Sequence, residues 1–254
     1  MSSSGGANVL LERVPGAQDV ARRAAELFVR RNQEARTKGR FTVVLSGGST
    51  PRAFHALLAA PPYRDQVDWS VTQFYWGDER CVAPDDPESN FRMARETLLD
   101  KLPIHDAQIH RIHSEMADPA TAAAHYAEEL RQEFALAPGA LPRFDLIFLG
   151  MGPDGHTASL FPHTAALSVR DQLVVANYVP KLSTWRITLT TPVLNAAVTV
   201  AFLVAGPDKA DALAAVLDGP PNAHEYPSQL VRPSTGDLIW VVDDAAAARL
   251  RPGE

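Results

Sequence analysis

An Asp-Gly-His sequence at residues 154–156 places two ionisable side chains on a glycine-rich turn that follows an apolar segment. The apolar run at 144–149 is typical of a strand covered on both faces of a parallel sheet. Asp154 and His156 are therefore predicted at the carboxyl end of a strand, where open α/β sheets bind their ligands. A histidine titrates near working pH, and a neighbouring carboxylate can fix its tautomer and stabilise its protonated form. This spacing predicts a catalytic site.

The glycines of the same segment also match a dinucleotide-binding pattern, Gly150-x-Gly152-x-x-Gly155. The match stands alone, lies at mid-chain and has Pro153 inside the turn. The nearest acidic residue downstream, Asp171, follows Gly155 by sixteen residues and lies where a strand is predicted to begin. We therefore do not expect a dinucleotide site. A tight turn with a solvated Asp and His is the remaining alternative to catalysis.

Two further loops carry donors that suit an anion. Residues 46–51, Ser-Gly-Gly-Ser-Thr-Pro, follow a predicted strand and open a predicted helix, so backbone N–H groups and hydroxyls can meet negative charge there. Lys209 stands in the first turn of another predicted helix, where the helix dipole disfavours a lysine unless an anion is bound. Lys181 lies beside a predicted strand and Arg186 begins the next one, and either side chain can reach the same end of the sheet. Alone, the loop also fits an ordinary helix cap, and each basic side chain also fits a surface charge. Together, the loop and the basic side chains favour a phosphate-bearing substrate.

A third loop, Trp-Gly-Asp-Glu-Arg at residues 76–80, again ends a predicted strand. The guanidinium fork of Arg80 suits a carboxylate or a developing oxyanion. The alternative is that Asp78, Glu79 and Arg80 form a solvated charge cluster.

Other catalytic patterns are missing from the sequence. It contains neither a Gly-x-Ser-x-Gly elbow nor a His-Glu-x-x-His motif. Cys81 is interpreted as a packed thiol. His105, His110 and His113 match no standard metal-site spacing and are interpreted as surface histidines, so no metal is expected.

Size and composition limit the class of protein. The chain has 254 residues, of which 46% are apolar, and this suits one large α/β domain over residues 1–254. The net charge of −6 argues against a nucleic-acid partner.

The longest apolar stretch, 196–205, is too short to cross a membrane. The first residues lack a signal-peptide pattern and the single cysteine fits a reducing cytosol, so we expect a cytoplasmic protein. Residues 1–9 are predicted to be a flexible tail.

Hydrophobic periodicity predicts that strands and helices alternate along the chain. This alternation implies an α/β fold with a doubly wound, mostly parallel sheet and helices on both faces. The predicted strands cover 41–45, 71–76, 144–149, 173–179, 186–190, 198–204 and 238–242, and the predicted helices cover 19–35, 51–60, 89–99, 121–134 and 207–217.

Several motifs in order along the chain resemble those of the 6-phosphogluconolactonases, and the resemblance covers residues 10–244. The motifs are LSGGSTP at 45–51, WGDERCV at 76–82, SNFRMARETLL at 89–99, GMGPDGHTASLFP at 150–162, RITLT at 186–190 and AGPDKA at 205–210. The resemblance implies a Rossmann-like fold shared with sugar-phosphate isomerases. It also implies cofactor-free hydrolysis of 6-phosphoglucono-1,5-lactone to 6-phosphogluconate in the pentose phosphate pathway. A monomer and a small homo-oligomer both stay open.

Position within these motifs implies a role for each matching residue. His156 is the implied general base that activates water, Asp154 orients it, and Arg80 faces the lactone end. The implied substrate-binding residues are Gly47, Gly48, Ser49, Thr50, Asp78, Asn90, Lys181, Arg186 and Lys209, with Arg186 and Lys209 as the phosphate partners. The lactonases often carry prolines after the lysine that matches Lys181, whereas Leu182 follows it here, so the position of that loop is left open.

Two other functions remain as alternatives. The glucosamine-6-phosphate deaminases, which resemble the lactonases, carry a glutamate where this chain has Phe161, and this difference weakens a deaminase or isomerase function. A non-catalytic sugar-phosphate sensor would keep the pocket, but it would not need Asp154 and His156.

Overall fold

A seven-stranded sheet, in which every neighbouring pair of strands runs parallel, forms the centre of the computed structural model, which describes residues 8–251. The strands follow the order β1-β10-β9-β6-β2-β3-β5 across the sheet. Their bounds are β1 Asn8–Val14, β2 Phe41–Leu45, β3 Thr72–Trp76, β5 Ile109–His110, β6 Leu146–Leu149, β9 Thr199–Val204 and β10 Asp237–Asp243.

A second sheet has three antiparallel strands: β4 (Asp78–Arg80), β8 (Thr184–Leu189) and β7 (Val174–Val179), in that spatial order. It starts where the main sheet ends, because only Gly77 separates β3 from β4. The N–H of Gly77 donates to the carbonyl of Leu45 at the end of β2, which ties the two sheets together. The small sheet therefore stands beside the carboxyl end of the large one.

In the described part of the chain six α-helices surround the sheets, and side-chain caps set the start of two of them, α3 and α4. In α4, for example, the Asp118 carboxylate caps the backbone N–H groups of Ala120 and Thr121, while Pro119 occupies the first turn. Helix α1 packs against β9, β10 and α2, and α4 packs against β7 and β8. No helix among residues 8–251 is long and apolar enough to cross a membrane. The bounds are α1 Ala17–Ala35, α2 Ser49–Leu58, α3 Asn90–Thr97, α4 Pro119–Glu133, α5 Thr191–Asn195 and α6 Ala210–Leu217.

The main core lies between the parallel sheet and these helices. All residues of β2, β6 and β9 are buried, as expected for parallel strands covered on both faces. Aromatic rings join the layers: Phe28 of α1 meets Phe41 of β2 edge to face at 5.2 Å, and Phe54 of α2 contacts Phe148 of β6 at 4.7 Å. This packing fixes the ends of the central strands.

The winding of the chain reverses between β2 and β6, which are neighbours in the sheet. From β2 the chain proceeds outward through β3 to β5, and from β6 it proceeds the other way through β9 and β10. Loops that leave the carboxyl ends of two such strands diverge and open a crevice where ligands bind. The segments 46–50 and 150–156 flank this crevice.

The fold class expected from the sequence, a doubly wound and mostly parallel α/β sheet with helices around it, is confirmed. The predicted strands at 173–179 and 186–190 exist, but they belong to the antiparallel sheet. Three strands, β1, β4 and β5, were not predicted. Of the predicted flexible tail, residues 1–7 lie outside the described residues, whereas Asn8 and Val9 begin β1.

One histidine assignment was wrong. His110 is buried, stacks on Tyr75 with ring centroids 4.4 Å apart, and its Nδ1 lies 2.9 Å from Glu129. It is a core histidine that satisfies its polar atoms internally, whereas the expectation was a surface side chain. Cys81 packs against the core, as expected of a structural thiol, and its pKa is raised by burial.

Candidate active site

The turn after β6 is shaped by glycines at Gly152 and Gly155. Gly155 adopts the left-handed conformation at φ +73°, and its N–H donates to the Gly152 carbonyl at 3.0 Å. A Cβ atom at Gly152 would lie 2.1 Å from both Nδ1 and Cε1 of His156. The imidazole therefore rests against Gly152 in space that any other residue would occupy. No helix follows this turn, so the second half of the dinucleotide-binding pattern is missing here.

Asp154 and His156 form a hydrogen-bonded pair, with Asp154 Oδ1 2.5 Å from His156 Nδ1. The other carboxylate oxygen accepts from Lys181 Nζ at 3.1 Å. Burial opposes ionisation of Asp154, but the hydrogen bond and charge of His156, together with Lys181, hold its pKa well below the usual range. An ionised carboxylate can only accept, so in the neutral imidazole Nδ1 carries the proton and Nε2 has the free lone pair.

The imidazole of His156 borders an open cleft and is about one quarter exposed (26%). Phe161 stacks on this ring, with centroids 4.0 Å apart and an interplanar angle of 21°. Within the described residues, His156 Nε2 has no hydrogen-bond partner. The arrangement leaves the partly exposed imidazole at the edge of the cleft, with Nε2 free of protein hydrogen bonds among the described residues.

Two adjoining lobes make up the cleft. The first lobe has a volume of about 240 Å³ and the second about 270 Å³, and His156 borders both. The first lobe is lined by Ser46, Gly47, Gly48, Asp78, Arg80, Asn90, Gly150, Met151, Gly152, Pro153, His156, Ala158 and Lys209. The second lobe is lined by Asp78, Arg80, Pro153, Asp154, His156, Ala158, Ser159, Phe161, Lys181, Leu182 and Arg186.

The loop after β2 brings the amino end of α2 to the first lobe. Gly48 is the residue before the helix and has φ +109°, which favours glycine. Ser46 is buried, and its Oγ has no hydrogen-bond partner among the described residues. Ser49 and Thr50 form the first turn of α2. Neither of them lines the lobe, which Gly48 borders. Free helical N–H groups, a positive dipole end and an unpaired hydroxyl together suit an anion.

Asp78 and Asn90 form a buried polar wall of the first lobe. Asn90 Nδ2 donates to the Asp78 carbonyl at 3.0 Å, and Ser159 Oγ donates to Asp78 Oδ2 at 2.6 Å. A Cβ atom at Gly47 would lie 1.9 Å from Asn90 Oδ1, so the loop after β2 can approach Asn90 only as glycine. The two predicted residues are therefore held rigidly beside the turn that carries His156.

Glu79 is buried behind this wall and anchors the amino end of α3. Its carboxylate accepts from the N–H groups of Arg80, Asn90 and Phe91, each at 2.8 Å, and from Ser89 Oγ at 3.1 Å. Burial raises the pKa of Glu79, and the accepted hydrogen bonds oppose that rise. The carboxylate fixes the loop that carries Arg80 to the helix that carries Asn90.

Lys209 lies in the first lobe, at the junction between a short 3-10 turn, Pro207–Lys209, and α6. Its side chain is mostly buried and Nζ lies 2.9 Å from Asp208 Oδ2. The loop is held by Asp243, whose carboxylate accepts from the Gly206 N–H at 3.1 Å. Arg186 lines the second lobe instead, so the two expected phosphate partners border adjoining lobes.

The structure thus gathers most of the sequence-predicted site residues around one cleft, with Ser49 and Thr50 in the adjacent helical turn. Sequence reasoning did not select Ser46, Ser159 or Phe161. Ser46 and Ser159 belong to the motifs at 45–51 and 150–162, but the position of Ser46 in the lobe and the contact of Ser159 with Asp78 come from tertiary packing. In the sequence, Phe161 distinguishes this chain only from the deaminases, which carry a glutamate at that position.

Comparison with known proteins agrees with this fold and cleft. Residues 15–240 match a family model described as glucosamine-6-phosphate isomerases/6-phosphogluconolactonase. The chain belongs to this family, as its motifs indicated.

Relatives within the family carry the second of these two names. A 6-phosphogluconolactonase of Nostoc sp. is 42% identical over 241 residues, covering 94% of this chain and 98% of that protein. One from Haemophilus influenzae is 38% identical over 208 residues, covering 82% and 87%. The solved structure of the 6-phosphogluconolactonase from Trypanosoma cruzi superposes with a TM-score of 0.83 at 26% identity, covering 98% of this chain and 99% of that one.

Proposed function

We propose that this chain hydrolyses 6-phospho-D-glucono-1,5-lactone to 6-phospho-D-gluconate, a step of the oxidative pentose phosphate pathway. The observation that carries the proposal is the Asp154–His156 pair, 2.5 Å apart, whose free Nε2 borders a cleft with cationic walls. The family and the names of the relatives support the same activity.

His156 acts as a general base on water. Nε2 accepts a proton as the water oxygen bonds to the lactone carbonyl carbon, and the carbonyl oxygen becomes a tetrahedral oxyanion. Asp154 stabilises the imidazolium that forms and keeps the ring in this tautomer. When the bond to the ring oxygen breaks, Nε2 returns the proton to that oxygen. The balance is one water and one lactone to one hydroxy acid, and these side chains need no metal or cofactor.

Arg80 lies beside His156 in both lobes, which suits it to the lactone end of the substrate. Its guanidinium also donates to the Glu88 carbonyl, and this contact restricts where the fork can point. Preorganised donors beside a developing oxyanion lower the barrier more than flexible ones do. Arg80 therefore stabilises the tetrahedral oxyanion.

The phosphate binds to the remaining positive groups of the cleft. It carries about −1.5 to −2 charges at pH 7. The amino end of α2 with Gly47 and Gly48 offers backbone donors, and Lys209 and Arg186 offer charge from the adjoining lobes. Lys181 is mostly exposed and is bound to Asp154, so its part is to support the catalytic pair. Because His156 borders both lobes, a phosphate held by these groups leaves the lactone ring beside His156.

We further propose that the chain acts as a single domain in the cytoplasm, as a monomer or small homo-oligomer, with no nucleic-acid partner. The family match over 15–240 supports a single domain, and the net charge of −6 argues against a nucleic-acid partner.

The test compares two substrates with the purified protein. Acid release from 6-phosphogluconolactone, above the spontaneous rate, is expected together with no ammonia release from glucosamine 6-phosphate. Ammonia release with comparable kcat/KM would support a deaminase instead. Binding of 6-phosphogluconate without any acceleration of hydrolysis would identify a sensor. Either result overturns the proposal.

A further inference from the structure

Phe161 is a buried aromatic residue that contacts the base directly. Its ring stacks on the His156 imidazole at 4.0 Å, while Gly152 borders the Nδ1–Cε1 bond of the same imidazole. Together with the Asp154 hydrogen bond, these contacts leave the ring little freedom to change rotamer. The orientation of Nε2 depends on all of them.

The backbone of Phe161 is fixed independently of the cleft. Its carbonyl accepts from Thr164 Oγ1 at 2.7 Å, and Thr164 Oγ1 accepts in turn from Asn177 Nδ2 of β7 at 3.0 Å. All three residues are buried. The ring is therefore a platform attached to the small sheet rather than part of the catalytic turn.

Phe161 also forms a partition. On one side it lines the second lobe, and on the other it lines a further cavity of about 330 Å³, here called the back cavity. The back cavity also reaches Asp154 and Lys181. Removing the ring would join the two spaces and take away the surface on which one face of the His156 imidazole packs, so the imidazole would be free to turn away from Asp154.

We propose that Phe161 is a positioning residue for the reaction, an inference that rests on the proposed function. Its planar face holds the imidazole where Nδ1 meets Asp154 and Nε2 faces the substrate. The face of an aromatic ring attracts both a neighbouring ring and a cation, so the stack persists when His156 becomes an imidazolium. The role requires a flat ring, and an aliphatic side chain of similar bulk does not fulfil it.

The test uses Phe161→Leu and Phe161→Tyr, which separate bulk from planarity. For the leucine variant we expect kcat to fall by about 10- to 100-fold, as for small misplacements of a catalytic group, with KM nearly unchanged. The tyrosine variant should restore kcat to within a few-fold of wild type. A wild-type kcat in the leucine variant would overturn the inference. If leucine prevents folding, Phe161→Met fills the space with a flexible chain and gives the same comparison.

Proton NMR of the His156 ring gives a signal that a general loss of protein stability would not change. The downfield Nδ1–H signal expected from the bond to Asp154 should persist in the tyrosine variant. In the leucine variant it should be lost to exchange, and a retained signal would contradict the inference.

His156→Ala is measured in parallel. If that variant is inactive while Phe161→Leu is fully active, only the inference about Phe161 fails. If His156→Ala is fully active, the proposed mechanism itself fails.

Discussion

Arg80 lies directly opposite Arg186 across the antiparallel pair of β4 and β8, and both side chains line the second lobe. Like charges in such a cross-strand pair repel each other. Burial, followed by the charge of Arg80, lowers the pKa of Arg186. An anion bound between or beside the two guanidinium groups relieves this repulsion.

Substitution of these two arginines should separate binding from catalysis. Arg186→Gln removes a proposed phosphate partner, and because a charged hydrogen bond contributes about 1.5–3 kcal/mol, KM should rise roughly 10- to 100-fold with little change in kcat. Arg80→Gln should instead lower kcat, since the proposed role of its guanidinium is to stabilise charge that develops in the transition state. Steady-state kinetics of both variants measure this split.

Arg143→Gln is the matched control for the arginine variants. Arg143 is exposed and precedes β6, at the opposite end of the sheet from the cleft. Its kinetics should equal those of wild type. A rise in KM for Arg80→Gln with unchanged kcat would reverse the roles assigned to the two arginines.

Gly152→Ala should displace the imidazole of His156. The added Cβ would lie 2.1 Å from Nδ1 and Cε1, so the ring must move away from Asp154. We expect kcat to fall by about 100-fold, the loss typical of a 1 Å misplacement. Gly16→Ala is the control, because its added Cβ meets only Asp19 Oδ2 at 3.8 Å. Equal turnover of the two variants would show that the ring is not held as described.

Asp154→Asn should lower kcat roughly 10²- to 10⁴-fold, because an amide can favour the wrong imidazole tautomer. The substitution also has a predictable effect on acid stability. The pKa of Asp154 is lowered in the folded protein, so the folded state binds fewer protons than the unfolded chain. Stability from the ionised carboxylate is therefore present above the unfolded pKa of about 3.9 and is lost as pH falls through the folded value.

Urea unfolding of wild type and Asp154→Asn at several pH values measures that effect. The wild-type advantage in free energy of unfolding should be full near pH 5 and shrink as the pH falls below about 4. A difference that stays constant across this range would contradict the role of the ionised carboxylate.

The central strands could be predicted from sequence because their burial is continuous. Phe41–Leu45 and Thr199–Val204 are buried throughout, so both are mainly apolar, with one threonine in each. β4 consists of Asp, Glu and Arg, which carry no strand signal, and it forms because it pairs with β8. β1 was not predicted because it is an edge strand in which three of the four apolar residues, Val9, Leu10 and Leu11, are exposed.

The candidate site was predictable in its residues but less so in its geometry. Asp154 and His156 are close in sequence, so their pairing followed from local spacing. Arg80 and Arg186 face each other only because β4 pairs with β8, more than a hundred residues away in sequence. No local sequence pattern specifies that pairing. The stacking of Phe161 on His156 likewise depends on anchorage through Thr164 to β7.

The most direct measurement of the central claim is lactone hydrolysis by His156→Ala, with His163→Ala as the control. His163 is an exposed histidine outside both lobes of the cleft, so its variant should turn over like wild type. His156→Ala should lose roughly 10²- to 10⁴-fold in kcat while still binding 6-phosphogluconate. Turnover by His156→Ala at the wild-type rate would contradict the account.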